Sequence, residues 1–193
     1  KARAMVVGAC LAVAMALLAG CATYGDYSVN SSSVQPISFN SSQKLFVTEP
    51  HIFTGVRDAD VARLVAMALA NAARKQFAGV EMADSHEDHQ VNLTHASALH
   101  CDLLIQPQVL VWQDNGTEWS GNPDRIEFEI ELFDVASGKL LSSIDLRNSS
   151  GFLTPIGFKP QDLLAQTFDN FFSGKTSTPT PRPASNPRSA GRN

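Results

Sequence analysis

The chain is poor in cysteine, in aromatic side chains other than phenylalanine, and in long apolar runs. Three cysteines, two tryptophans and two tyrosines occur in 193 residues. Cys10 lies inside the first apolar run, which leaves Cys21 and Cys101. No multi-bridge disulfide framework can be drawn from so few thiols, so the fold rests on an apolar core. The longest apolar run, Met5 to Leu18, has fourteen residues. A helix needs about 20 to cross a hydrocarbon core. Catalytic signatures are missing too: there is no G-x-S-x-G elbow, P-loop, H-E-x-x-H or dinucleotide glycine run. Acid is absent from both ends, since all 19 acidic residues lie between Asp26 and Asp169. Nine Lys or Arg share that stretch, for a net charge of −10 with histidine neutral. Phosphate backbones require a basic footprint, so no nucleic-acid partner is expected.

The apolar run follows Lys1 and Arg3, the layout of a secretory signal peptide. It ends on Leu18-Ala19-Gly20-Cys21, which resembles the lipobox of bacterial lipoprotein signals: an aliphatic residue, two small ones, then cysteine. The resemblance implies cleavage before Cys21, leaving 1–20 as signal peptide, and acylation of the Cys21 sulfur and amine. Two or more acyl chains anchor a protein stably where one does not. The partner implied is thus a lipid bilayer, with the covalent lipid on Cys21 and no other cofactor. Ala22, in place of Asp, resembles lipoproteins sent to the outer membrane, which implies an outer-membrane, periplasm-facing location.

Residues 21–43 are expected to be the lipidated cysteine and a flexible tether, because Tyr24 to Ser42 has serine and asparagine runs without a sustained period. The tail, 173–193, is rich in Ser, Thr and Pro and carries Lys175, Arg182, Arg188 and Arg192 without acid. It cannot bury apolar area and reads as a disordered, solubilising end.

Between them, 44–172 read as one α/β (α+β) domain. "KLFVTEP" is a short strand. In "RDADVARLVAMALANAARKQF", Val61, Leu64, Val65, Ala68, Leu69, Ala72, Ala73 and Phe77 form a helical stripe, with Asp58 as cap and Arg74 and Lys75 at the far end. "VEMA" is a strand, and His86 to His100 a weaker helix. "DLLIQPQVLVWQ" is a long strand whose Pro107 implies an edge or a bulge. In "RIEFEIELFD" Ile126, Phe128, Ile130 and Leu132 share one face, and Glu127, Glu129 and Glu131 the other. "LLSSIDLR" pairs back, and "KPQDLLAQTFDNFF" closes as a helix with Pro160 in its first turn. The order β-α-β-α-β-β-β-α predicts a single mixed sheet with helices packed on one face.

Four candidate features remain. His86, His89, His95 and His100 cluster in sequence but miss the i, i+4 spacing of a helical metal pair, so polar surface is the better reading and no metal site is assigned. The glutamate row reads as a solvated sheet face, with a basic partner as the alternative. Cys101 reads as buried packing. Trp112 and Trp119 flank a turn rich in Gly, Asn and Pro, and Trp119 is either an exposed anchor or a lid over the sheet. Glu118, Trp119, Asp124 and Arg125 are the candidate partner-binding residues.

"TEWSGNPDRIEFEIELFDVASGKLL", with "ALHCDLLIQPQVLVWQD" before it and "KPQDLL" after it, resembles the Gram-negative lipoproteins grouped as domain of unknown function 4823. That family brings no activity and no catalytic residue. The element order is similar to that of the N-terminal domain of the Tol–Pal propeller protein. It also resembles lipoproteins that activate peptidoglycan synthases or build the curli pore. The resemblance implies a non-catalytic binding or assembly accessory meeting an envelope protein or peptidoglycan component. The rival expectation is an envelope hydrolase or small-ligand-binding protein.

Overall fold

The computed structural model describes residues 28–31, 39–53, 59–115, 121–151 and 158–174. Its elements are β1 (Ser28–Ser31), β2 (Lys44–Val47), β3 (His51–Ile52), α1 (Ala59–Ala73), β4 (Gly79–Met82), α2 (His89–Ala98), β5 (Leu103–Gln113), β6 (Arg125–Asp134), β7 (Leu140–Ser149), a 3-10 turn (Pro160–Leu163) and α3 (Leu164–Phe172). The strands form one mixed sheet in the order β1-β7-β6-β5-β2-β4, and β3 pairs with β5 beyond the end of β2. β4, β2 and β5 run parallel, whereas β5-β6-β7-β1 are antiparallel. The parallel strands are joined through α1 and α2, as parallel pairs require.

Strand alternation separates two faces. On the inner face Leu45, Val47, Ile105, Phe128 and Leu146 pack with α1 and α3 into the main core. Ile126, Phe128, Ile130 and Leu132 all lie there, as their period of two predicts. Phe128 meets Phe168 of α3 at a ring distance of 5.3 Å. On the outer face Phe46, Leu104, Cys101 and Ala83 form a smaller cluster with Ala96 of α2. The expectation that helices pack on one face therefore holds for α1 and α3, while α2 covers one end of the other. The sequence hides this because α2 has a weak apolar period: it buries only Asn92 and Ala96.

The expected tether needs correction in two places. Ser28–Ser31 is an edge strand, antiparallel to β7. Phe39 packs edge-on against Phe77 and Phe171, at ring distances of 5.3 and 5.8 Å. A polar run hid both, since one valine and one phenylalanine carry the packing. In α1, Val61, Val65, Leu69, Ala72 and Ala73 are buried, but Leu64 is 42% exposed and leaves the stripe. The expected cap Asp58 lies outside the described residues. α1 ends at Ala73, ahead of Arg74 and Lys75, and Lys75 Nζ instead bridges to Asp169 of α3 at 2.7 Å.

Pro107 is not at an edge, since β5 is a central strand. Thr48 N–H donates to the Ile105 carbonyl and Phe53 N–H to that of Val109, each at 3.1 Å. By alternation the Pro107 nitrogen points to the same side, at the break between β2 and β3. No ladder bond is lost there. The bulge comes later, between Val109 and Val111. It turns Trp112 to the inner face, where that ring packs partly buried on the core.

Candidate functional site

The outer face of β5, β6 and β7 is laid out by a two-residue alternation. Gln106 and Gln108 on β5 stand opposite Glu131 and Glu129 on β6, which in turn stand opposite Ser143 and Asp145 on β7. Glu127 is paired in register with Arg147. Beyond the end covered by α2, no helix among the described residues packs on this polar array.

The three glutamates are not equivalent. Glu127 keeps only 10% of its side chain exposed, and lies between Arg147, with Nε to Oε2 at 3.5 Å, and the Arg125 guanidinium, which donates to Oε1. Two cations compensate its burial, so it departs from the solvated reading. Glu129 accepts from Ser143 Oγ at 2.7 Å. Glu131 accepts from Gln108 Nε2 at 3.4 Å. Both are half-buried, as a solvated sheet face predicts. Glu129 and Asp145 are directly opposite like charges, an arrangement that costs sheet stability.

The β5–β6 connection leaves this face at its base. Asp124 is fully buried, and its Oδ1 accepts the Asn115 N–H at 2.8 Å. Its own N–H donates to Ser150 Oγ, and its carbonyl accepts the Ser150 N–H, both at 2.9 Å. Asn115 Nδ2 closes the base by donating to the Pro123 carbonyl at 2.6 Å. Asp124 was expected on the contact surface, but a buried carboxylate holding the base of a loop offers no atom to a partner. Arg125 is exposed and bound to Glu127. Glu118 and Trp119 lie outside the described residues, as do Leu18, Ala19, Gly20 and Cys21.

The histidines are dispersed. His89 Nδ1 bonds Gln106 Oε1 at 2.5 Å, and its ring packs on Phe133 at 4.4 Å. His51 lies between Phe53 and His86, at ring distances of 4.3 and 5.7 Å. Among the described residues no group of three His, Cys, Asp or Glu side chains is placed to hold a metal ion. Cys101 is buried, and burial pushes its thiol pKa up, opposed by nearby Lys44. That is the reverse of what activates a nucleophilic thiol.

Sequence reasoning found the glutamate row but missed what it faces. Gln106, Gln108, Ser143, Asp145 and Arg147 belong to the same surface. Their two-residue spacing is visible in "LIQPQV" and "SSIDLR", yet only the strand order makes them neighbours.

Among solved structures, the PelC dodecamer from Paraburkholderia phytofirmans is similar at a TM-score of 0.61 and 15% identity, over 79% of this chain and 100% of that one. Lipoprotein GNA1162 from Neisseria meningitidis is similar at 0.45 and 12% identity, over 70% and 99% of the two chains. TolB from Acinetobacter baumannii gives 0.34 and 10% identity over 77% of this chain and 31% of that one, so the expected likeness to the propeller protein is loose. PelC supports the fold. No curated protein matches the chain. A family model does match, over residues 39–173, from Phe39 of the aromatic cluster to the turn after α3, and the chain thus belongs to the family described as domain of unknown function DUF4823.

Proposed function

We propose that this protein is an envelope lipoprotein, anchored through Cys21 in the outer membrane and facing the periplasm, which acts as a non-catalytic binding or assembly accessory. The observation that carries the reading is the outer face of β5–β7, a polar surface on a rigid sheet whose other side is sealed by α1 and α3. A bare sheet face bearing an opposed Glu129–Asp145 pair suits a partner that covers it and relieves the repulsion. The anchor is supported by Leu18-Ala19-Gly20-Cys21 and the basic, apolar segment before it. No helix of the described residues is long and apolar enough to cross a membrane. A fold shared with a protein that assembles as a dodecamer agrees with a role in assembly.

In-cell photo-crosslinking tests the reading. A photoreactive residue at position 145 is expected to capture one dominant envelope protein, and the same residue at position 67, on the exposed side of α1, to capture none. Equal capture from both positions, or none from either, overturns the accessory role. An intact mass showing unmodified Cys21 in protein expressed in its native host overturns the anchor.

A further inference from the structure

Where α2 passes the turn between β6 and β7, the outer surface is indented by a groove of about 730 Å³. That volume lies within the range of roughly 300–1,000 Å³ common to small-ligand sites. One wall is α2, with His89, Leu93 and Ser97; the other is Val135, Ser137 and Gly138.

Both walls are pre-set. His89 is held by Gln106 at Nδ1 and by Phe133 against its ring. An amide oxygen only accepts, so in the neutral ring Nδ1 carries the proton and Nε2 keeps a lone pair. The opposite wall is tied by Asp134, whose Oδ1 accepts the Ser137 hydroxyl at 2.5 Å and the Ser137 N–H at 2.8 Å. Its carbonyl accepts the Gly138 N–H at 2.8 Å. Gly138 has a φ of +66°, a conformation L side chains rarely adopt, and it brings the turn backbone close to Leu93.

The chemistry of the lining is specific. It contains no carboxylate, ammonium or guanidinium, although the domain around it is strongly acidic. It offers neither the guanidinium or ammonium groups that hold an anion nor the carboxylates that hold a hard metal ion. Among the described residues the Gln90 amide and the Ser97 hydroxyl make no side-chain hydrogen bond. Ser137 Oγ donates to Asp134 and accepts the Lys139 N–H at 3.4 Å, which leaves part of its accepting capacity to the groove. Donors and acceptors thus alternate with the apolar Leu93, Ala98 and Val135. Such a lining matches a neutral ligand whose groups both donate and accept and whose ring has a C–H face. An extended peptide would seek a free strand edge, and this groove has none, because β6 and β7 pair with each other along its side.

We infer that the groove between α2 and the β6–β7 turn is a binding site for a neutral saccharide unit. This goes beyond the accessory role and stands on the groove alone. The test is saturation-transfer difference NMR on the full chain in detergent, with N,N′-diacetylchitobiose and maltotriose as probes and trialanine as control. Transfer to at least one saccharide is expected, with a Kd in the roughly millimolar range of a shallow site. Ser97→Trp, which fills the groove from an exposed helix position, is expected to weaken binding at least about tenfold while the melting curve stays unchanged. If Ser97→Trp does not fold, His89→Ala is the second variant, with the same expected loss. The inference is overturned if neither saccharide receives transfer, if transfer persists in the folded variant, or if trialanine receives as much.

Discussion

Asn148 on β7 and Thr167 on α3 are joined inside the core: Asn148 Nδ2 donates to Thr167 Oγ1 at 2.9 Å, and neither residue is more than 1% exposed. Thr167 Oγ1 in turn donates to the Leu163 carbonyl at 2.7 Å, and Asn148 Oδ1 accepts the Ser149 N–H at 2.9 Å. Aliphatic packing tolerates small slips, whereas a buried hydrogen bond does not. The pair therefore sets where α3 docks on the inner face, opposite the polar face of β5–β7.

Thr167→Val keeps the shape and leaves Asn148 Nδ2 buried without its acceptor. We expect a loss of about 1–3 kcal/mol in urea unfolding. The double variant Asn148→Leu, Thr167→Val should lose less than the two single changes added together. Strict additivity would mean that the two side chains do not act as a unit.

Gly79 is required because Lys44 lies over it. A Cβ there would stand 2.9 Å from Lys44 Cγ, on the stem that carries Nζ to Glu81 at 3.0 Å and to the Leu99 carbonyl at 2.9 Å. Gly79→Ala should cost about 1 kcal/mol or more in the wild-type background. In a Lys44→Ser background the clash is gone and most of that cost should vanish, which paired thermal melts would read.

Phe39→Ala removes a ring that contacts Phe77, Phe171 and Phe172 at 5.3–5.8 Å between centroids. The ring is half-buried, so a loss of about 2 kcal/mol is expected, below the figure for a fully buried phenylalanine. An unchanged unfolding midpoint would return Phe39 to the tether.

Asp134 titrates with a sign set by its turn. Hydrogen bonds from the Ser137 side chain and then its backbone hold the carboxyl below the ordinary value of 3.8. The added stability is full above 3.8 and is lost as pH falls through the lower folded value. Asp134→Asn should be less stable than wild type near neutrality, and the gap should narrow as pH falls below 3.8. A gap that stayed constant with pH would assign the effect to packing.

Cys101 should resist alkylation. It is 6% exposed, and burial raises its thiol above the ordinary 9.0. The neutral thiol's contribution to stability is full below 9.0 and declines as pH rises above it. Iodoacetamide at about pH 8 should modify Cys101 only as fast as the domain unfolds, as followed by peptide mass spectrometry. Rapid labelling of the folded protein would contradict the burial.

Much of this fold was legible in local pattern. The period of two in "RIEFEIELFD" assigns both faces of β6, and the stripe through Val61, Val65, Leu69 and Ala72 assigns α1. Both signals are strong because many residues repeat one choice. The places where reading failed carry little pattern. α2 has almost no apolar period, β1 contributes a single valine, and Phe39 is one ring in a polar run. Their packing depends on partners far along the chain, which a local window does not contain.

The candidate site divides in the same way. Composition and short motifs by themselves determined the acidic domain, the lipobox-like run Leu18-Ala19-Gly20-Cys21 on which the proposed anchor rests, and the alternation that sets Glu127, Glu129 and Glu131 apart from the core. Only the tertiary structure decided that Arg147 neutralises Glu127, that Asp145 opposes Glu129, that Asp124 is buried, and that α2 bounds a groove against the β6–β7 turn. The physical reason is that face and period are properties of one segment, readable wherever it repeats. Charge compensation, burial and concavity arise between segments, and they exist only once the strand order has made distant residues neighbours.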